Sequence, residues 1–180
     1  AFDASKIING IKYGVGLKTF TANVNKNGVS KIKQEKIAEF ESRNVAVVGA
    51  STDSAFSHWK WLQTEQNDGG IKGVKYPLVS DQSLMISTAY DVLAGSFDYN
   101  DEGEDVFNGA PQAYRGLFLI DKEGVVRHQV VNDMPLGRSV DEAIRVIDAL
   151  QFTEEYGEVC PANWKKGDKA LKATQEGISD

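Results

Sequence analysis

Two apolar stretches joined by a short turn limit most strongly what this chain can fold into. The runs GLFLID at 116–121 and VVRHQVV at 125–131 flank the turn DKEG, and this pattern predicts an antiparallel β-hairpin. A helix is predicted next, because Ser139 and Glu142 match a capping box. This part of the chain therefore predicts a ββα unit. The apolar stripe of its helix consists of Val140, Ala143, Ile144, Ile147 and Leu150.

The part of the chain before this unit alternates between helices and strands. From about Ser30, apolar residues follow helical spacing, and the Val-rich run 45–50 then indicates a buried parallel strand. The pattern continues with a helix at 51–62, a strand at 76–81 and a helix at 82–93. A βαβ half followed by a ββα half is typical of the α/β thioredoxin-like fold, a mixed central sheet flanked by helices.

The first strand of that fold has to come from residues 1–28, the least legible part of the sequence. Four glycines interrupt any pattern there, and only LKTFTANV at 17–24 has the composition of a short strand. We therefore predict a thioredoxin-like domain at 1–151. Residues 152–180 are predicted to form a polar C-terminal arm outside the core, and this arm contains Cys160.

An acidic, glycine-containing insertion at 95–112 predicts a surface loop. Within it, Asp98, Asn100 and Glu102 are similar to the opening of a calcium-binding loop. The closing acidic ligand of such a loop would fall at Gly109, which has no side chain to coordinate a metal. A solvated acidic loop is therefore the better interpretation.

Composition excludes several classes of protein. The chain has 180 residues, with 20 Lys+Arg against 26 Asp+Glu, and its net charge of -6 argues against a general nucleic-acid binder. No run reaches the length of a membrane-spanning helix. The opening residues AFDASKIING lack the basic and apolar regions of a signal peptide, so we expect a cytoplasmic protein.

The two histidines give no sign of a metal site. His58 and His128 lie in different predicted elements, without metal-ligand spacing around them. His58 stands beside Trp59 and Trp61, and this setting favours packing and hydrogen bonding over catalysis.

Three other residues each have a functional and a structural interpretation. Cys160, the one cysteine, is either a small buried hydrophobic residue or, beside Pro161, a thiol that pairs with another chain. Arg115 opens a predicted strand, and Arg138 directly precedes the capped helix. Either arginine could stabilise an anion such as a thiolate, or could form an ordinary surface salt bridge.

Four stretches together resemble one family. They are GASTDSAFSHWKW at 49–61, YPLVSD at 76–81, YRGLFLIDKEGVVRHQVVNDMPLGRSVDEAIRVIDALQ at 114–151, and TEEYGEVCPANW at 153–164. Over about residues 38–165 the chain closely resembles the typical two-cysteine peroxiredoxins, including the peroxidase component of alkyl hydroperoxide reductase. The resemblance implies a thioredoxin-like thiol peroxidase that reduces hydrogen peroxide and alkyl hydroperoxides.

The resemblance also implies roles for particular residues. In the family a peroxidatic cysteine becomes a sulfenic acid, and a resolving cysteine from the partner's arm then forms a disulfide with it. By motif, Cys160 matches the resolving cysteine, Arg115 the arginine that lowers the peroxidatic thiol's pKa, and Arg138 a supporting arginine. The strand 125–131 matches the edge strand that pairs in the homodimer.

The same resemblance implies partners and cofactors. In the family, homodimers function on their own or assemble into a ring of dimers, for example a decamer. A thioredoxin-like or flavoprotein reductase supplies the electrons. The chemistry needs no metal or organic cofactor, because sulfur carries it out. Neither nucleic acid nor membrane is an expected partner.

One departure from the family pattern is large. Counting back from the matched blocks places the peroxidatic cysteine near Lys26, in ANVNKNGVSK at 22–31, where no cysteine occurs. The apolar central strand expected before that motif is predicted to be missing too. Three explanations stay open: an incomplete or incorrectly assigned N-terminal third, a divergent inactive member, or a genuine replacement. The first is preferred, because Arg115, Arg138 and Cys160 serve little purpose without a partner thiol. The alternative function is a non-catalytic scaffold or chaperone-like oligomer.

Overall fold

The computed structural model describes residues 13–18 and 34–174 of the chain. The chain divides into two compact units, residues 1–138 and residues 139–180. The described strands are β1 (Tyr13–Lys18), β2 (Val45–Ser51), β3 (Leu78–Ser80), β4 (Leu93–Tyr99), β5 (Asp105–Ala113), β6 (Arg115–Ile120) and β7 (Val126–Asn132). The described helices are α1 (Gln34–Ser42), α2 (Ala55–Gln63), α3 (Met85–Ala89) and α4 (Val140–Tyr156), with a 3₁₀ turn at Gln66–Asp68.

The first unit is built on a mixed five-stranded sheet. The strand order is β3-β2-β1-β6-β7. The first three strands run parallel to one another, whereas β6 is antiparallel to both β1 and β7. The sheet joins a parallel βαβ half to an antiparallel hairpin, and the thioredoxin-like fold predicted from the sequence is confirmed.

The central strand of the sheet is present, contrary to the prediction that it is missing. Residues Tyr13–Lys18 lie between β2 and β6, with Val15 opposite both Val47 and Leu119. Sequence patterning missed this strand because two of its six residues are glycines, although ladders on both sides stabilise the backbone. The strand that we predicted at 17–24 overlaps it only at its end, and residues 19–24 lie outside the described ranges.

The core of the first unit lies on the faces of β2 and β6. Alternate residues of β2 are buried, starting with Val45 and Val47, as expected for a strand with one face in the core. In β6, Leu117, Phe118 and Leu119 are all at least 95% buried, so both faces of this strand are covered. The near-continuous apolar runs in the sequence therefore correspond to strands inside the sheet.

The insertion at 95–112 is a β-hairpin, and the prediction of a surface loop is wrong. Strands β4 and β5 pair antiparallel, with Phe97 opposite Phe107 and Tyr99 opposite Asp105. The rings of Phe97 and Phe107 meet edge to face with centroids 5.0 Å apart. Charged residues at the tip hid the alternation of polar and aromatic residues in the flanking strands.

The second unit contains α4 and the chain that folds back on it. Ser139 caps α4, since its hydroxyl accepts a hydrogen bond from the Glu142 N–H at 3.1 Å. The helix runs through the predicted boundary at 151 and ends at Tyr156. A division of domains at 151/152 stays a prediction. Among the described residues, no helix is both long enough and apolar enough to cross a membrane.

A buried carboxylate fixes the start of α3. Asp81 is 1% exposed, and its oxygens accept hydrogen bonds from the backbone N–H groups of Ile86 at 2.9 Å and Ser87 at 2.7 Å. The Ser87 hydroxyl donates to the same carboxylate. A buried negative charge is tolerated here because several donors at a helix start solvate it. The predicted helix at 82–93 is therefore real but shorter.

We predict that Asp81→Ala lowers the free energy of unfolding by about 1–3 kcal/mol, because it leaves buried donors without an acceptor. Urea denaturation followed by circular dichroism measures this change. The control is Asp101→Ala, an exposed change that should stay within about 0.5 kcal/mol of the wild type. Equal losses in the two variants would contradict a capping role for Asp81.

Candidate active site

Arg115 is held at the start of β6. It pairs in register with Asn132, the last residue of β7. Its Nε donates a hydrogen bond of 2.8 Å to the carbonyl of Met134 in the loop that follows β7. Arg115 is half-buried, and burial lowers the pKa of its guanidinium. The strand register and this hydrogen bond therefore fix the guanidinium group at one end of the sheet.

The loop after β7 is tied down at several points. The Asn132 side-chain amide donates to the carbonyl of Gly137 at 2.6 Å, and the Leu136 N–H donates to the carbonyl of Asp133 at 3.0 Å. The Asp133 carboxylate accepts a hydrogen bond from the Met134 N–H at 2.7 Å. These bonds fold the loop into a compact turn that places Arg138 in the neighbourhood of Arg115.

Arg138 is a half-buried cation next to a second cation. Burial, and after it the positive charge of Arg115, lowers the pKa of Arg138 to about 10. Its Nε is buried and has no hydrogen-bond partner among the described residues. The group is still protonated at neutral pH, because its pKa stays well above 7.

Two guanidinium groups in this arrangement favour a bound anion. Like charges that are partly desolvated repel each other, and a negative charge between them relieves the repulsion. Guanidinium N–H groups also give directional, charge-assisted hydrogen bonds to an anion. The pair can therefore stabilise a thiolate, a peroxide anion or a developing oxyanion, which is the chemistry predicted for Arg115 and Arg138.

Cys160 lies in the second unit, on the segment that follows α4. Its Sγ is 3.7 Å from the carbonyl oxygen of Ala149 and 3.8 Å from Oγ1 of Thr153, both on α4. The side chain is half-buried and forms no disulfide. These two contacts are weak, because thiols are poor hydrogen-bond donors. The thiol is therefore held against the helix without a strong bond that would have to break before it reacts.

The segment after α4 is better packed than the predicted polar arm. Trp164 is 2% exposed, and its ring lies 4.9 Å from the ring of Phe152. Its indole N–H donates to the carbonyl of Asp168, while its own carbonyl accepts from Arg145 on α4. The prediction that this tail lies outside any core is therefore wrong for Trp164, because an aromatic cluster anchors the segment that carries Cys160.

The position counted for the peroxidatic cysteine, near Lys26 in residues 22–31, lies outside the described residues. The structure therefore places Arg115 and Arg138 together in one unit and Cys160 in the other. Sequence reasoning missed the contributions of Asn132 and Asp133. The only signal for them was their position in the matched run before Arg138.

His58 has the structural role that its sequence setting favoured. Its Nε2 lies 2.7 Å from the hydroxyl of Ser51, and its ring lies 5.4 Å from that of Trp61. Burial lowers the pKa of His58, and Asp53 partly opposes this shift. Nowhere in residues 13–18 and 34–174 do three or more His, Cys, Asp or Glu side chains form a group that could hold a metal ion.

Comparison with known protein families gives two matches. The sequence model of the AhpC/TSA family matches residues 28–129, more than half of the chain. A second model, the C-terminal domain of 1-Cys peroxiredoxin, matches residues 149–180. The first match includes Arg115, and the second includes Cys160.

Individual relatives agree with these matches. Alkyl hydroperoxide reductase C of Buchnera aphidicola (subsp. Schizaphis graminum) is 46% identical over 140 residues, which are 78% of this chain and 64% of the relative. The chloroplastic 2-Cys peroxiredoxin BAS1 of Hordeum vulgare is 46% identical over 142 residues, or 79% of this chain and 61% of the relative. The chain thus spans less than two thirds of these relatives' length.

A solved structure agrees with the fold. The reduced 2-Cys peroxiredoxin of Plasmodium vivax superimposes with a TM-score of 0.77 at 37% sequence identity. The superposition covers 93% of this chain and 80% of the Plasmodium protein. The superposition and the sequence matches therefore point to the same group of proteins.

We predict that His58 makes folding stability depend on pH. Burial lowers the folded pKa of His58, so on acidification the unfolded chain takes up a proton at this residue at a higher pH than the folded chain does. The free energy of unfolding should therefore be fully retained above pH 6.5 and fall as pH drops below it. Urea denaturation between neutral and mildly acidic pH measures the slope.

His58→Gln should flatten this slope, because it removes the titrating ring. Lys60→Gln, an exposed change on the same helix, should leave the slope unchanged. An unchanged slope in His58→Gln would show that other groups cause the pH dependence.

Proposed function

The chain is a member of the AhpC/TSA family of peroxiredoxins, and on that basis we propose that it takes part in the thiol-dependent reduction of hydrogen peroxide and small alkyl hydroperoxides. The observation that carries the proposal is the pair of guanidinium groups, Arg115 and Arg138. One of them has a buried Nε without a partner among the described residues, as expected of a site that binds an anion.

The proposed chemistry has two steps. A peroxidatic thiolate attacks the peroxide O–O bond, takes up one oxygen as a sulfenic acid, and releases water or an alcohol. The thiol of Cys160 then attacks the sulfenic sulfur, forming a disulfide and releasing water. Arg115 and Arg138 stabilise the thiolate and the negative charge that develops on the leaving oxygen. A disulfide reductase returns two electrons and restores both thiols.

The first step needs a thiol that the sequence does not supply. Its one cysteine is Cys160, and the position counted for the peroxidatic cysteine lies near Lys26, where no cysteine occurs. The proposal therefore requires that the working protein carry a peroxidatic cysteine in addition to Cys160. Cys160 is assigned the resolving role, because it lies in the GEVCPANW motif after α4.

Partners follow from the same assignment. Strand β7 is the last strand of the sheet, and Val126 and Val131 on it are more than 40% exposed. An edge strand with exposed apolar side chains suits pairing with a second copy, so we propose a homodimer through 125–131 and a ring of dimers beyond it. The reductant is a thioredoxin-like or flavoprotein reductase, and the proposed compartment is the cytoplasm.

A second candidate function is a non-catalytic scaffold or chaperone-like oligomer on the same fold. The absence of a second cysteine from the sequence favours it. Such a protein would form normal oligomers and consume no peroxide.

We predict that Arg138→Gln slows peroxide consumption by about 100-fold, because one charged donor to the reacting anion is lost. The measurement is loss of hydrogen peroxide after addition to the reduced protein. Arg43→Gln is the matched control, since Arg43 pairs with Glu39 on α1. Equal slowing in both variants would contradict the assigned role of Arg138. No peroxide loss in the unsubstituted protein would favour the scaffold.

In the protein that carries the peroxidatic cysteine, we predict that Cys160→Ser abolishes the covalent dimer that peroxide produces, because the sulfenic acid then has no resolving thiol. Non-reducing electrophoresis measures the dimer, and dimedone labelling measures the sulfenic acid, which should accumulate. The control is Thr153→Val, which removes a contact of the thiol but leaves the thiol itself. A covalent dimer that persists in Cys160→Ser would overturn the assignment.

A further inference from the structure

The hairpin of β4 and β5 forms a two-stranded sheet separate from the five-stranded one. Its base joins the core, since Val92 and Ala113 are buried in one cluster with Phe118. Its tip is closed by Asn100, whose side-chain oxygen accepts hydrogen bonds from two backbone N–H groups of the turn. A two-stranded sheet alone is only marginally stable in water. Beyond its base, the hairpin pairs with no other strand among those that the structure describes.

One face of the hairpin is aromatic. Residues directly opposite each other share a face, so Phe97 and Phe107 lie on the same side as Tyr99 and Asp105. Phe97 is 60% exposed and Tyr99 is 73% exposed. The ring of Phe107 occupies the space beside Gly95, where a Cβ would come within 2.5 Å of it. The hairpin therefore has an aromatic face on which Phe97 and Tyr99 are open to solvent.

The same hairpin is strongly acidic. No lysine or arginine occurs between Tyr76 and Tyr114, a stretch that contains the whole hairpin. Outside the hairpin the chain has 20 basic and 21 acidic residues, so the hairpin accounts for nearly all of the net charge of -6. Its five carboxylates belong to Asp98, Asp101, Glu102, Glu104 and Asp105.

The charge of the hairpin indicates which kind of binding partner this surface suits. A second copy of the hairpin would bring five more carboxylates against the first five, and like charges repel. The negative electrostatic field of these carboxylates would instead attract a basic partner and increase its association rate. Lysine and arginine side chains pack well on exposed aromatic rings. Both features of the hairpin therefore suit a cationic chain with apolar residues.

We propose that the aromatic–acidic face, made up of Phe97, Tyr99, Asp105 and Phe107 with the carboxylates of the tip, docks a basic segment of another protein. The segment carries lysine or arginine beside apolar side chains. Its cations pair with the tip and lie over the rings, while its apolar side chains cover Phe97 and Tyr99. The proposal does not depend on peroxide chemistry, because the face contains neither Arg115, Arg138 nor Cys160.

The test uses a short fluorescein-labelled peptide in which lysine alternates with valine. Fluorescence anisotropy at physiological ionic strength measures its binding to the full chain. Tyr99→Ser should weaken binding by about 10-fold, since that loss corresponds to one good interface contact. This tyrosine is largely exposed, so its replacement should leave folding intact, and circular dichroism checks this.

Charge is tested separately with the triple variant Asp101→Asn, Glu102→Gln, Glu104→Gln, which should also weaken binding by about 10-fold. The matched control, Glu123→Gln, Glu154→Gln, Glu155→Gln, changes net charge equally but lies outside the hairpin. It should stay within about twofold of the wild type.

Four results would overturn the proposal. The first is no binding of the lysine–valine peptide. The second is equal weakening by the hairpin and control triple variants. The third is equal affinity for a peptide in which serine replaces valine, because attraction would then be purely electrostatic. The fourth is self-association that Tyr99→Ser abolishes, since the occupant would then be a second copy.

Discussion

Strand β6 is the constraint on which the rest of the first unit depends. It pairs with β1 on one side and with β7 on the other, so it joins the parallel and antiparallel parts of the sheet. Its middle residues are buried on both faces, and its first residue is Arg115. The pairing that completes the core therefore also fixes the position of the Arg115 guanidinium group. Burial of side chains sets the register of a sheet. A shift of β6 by one residue relative to its neighbours would therefore both disrupt the core and move Arg115.

The second arginine is positioned by a loop and not by a strand. Arg138 lies on a loop, and hydrogen bonds from Asn132 and Arg115 to backbone carbonyls of that loop hold it in place. The protein thus keeps two cations near each other at a cost in electrostatic repulsion. Such an arrangement is typical of a functional site, where a ligand or reacting group supplies the missing negative charge.

Sequence patterns predicted the elements whose burial follows a simple period. The Val-rich run of β2, the hairpin of β6 and β7, and the capped helix α4 were all recognised, because local signals and tertiary burial agree there. Sequence patterns failed where backbone pairing or side-chain packing overrides composition. Two glycines made β1 unrecognisable as a strand, and carboxylates at the tip made the β4–β5 hairpin look like a loop. The polar neighbours of Trp164 gave no sign that its ring is buried.

The candidate site, like the fold, was predicted from the sequence only in part. Arg115, Arg138 and Cys160 were selected by motif, and the structure places the two arginines near each other. Their proximity could not be derived from spacing, because it depends on the fold of residues 132–138. The sequence contains no second cysteine that could serve as the attacking thiol.

The central claim is that Cys160 resolves a peroxidatic thiol on another chain. Peptide-resolved mass spectrometry of the purified protein, with and without reductant, tests it most directly when the N-terminal third is covered. The account predicts a second cysteine-containing peptide joined to the Cys160 peptide by a disulfide that reductant removes. If residues 1–48 are found to contain no cysteine and Cys160 stays a free thiol after peroxide treatment, the claim is contradicted.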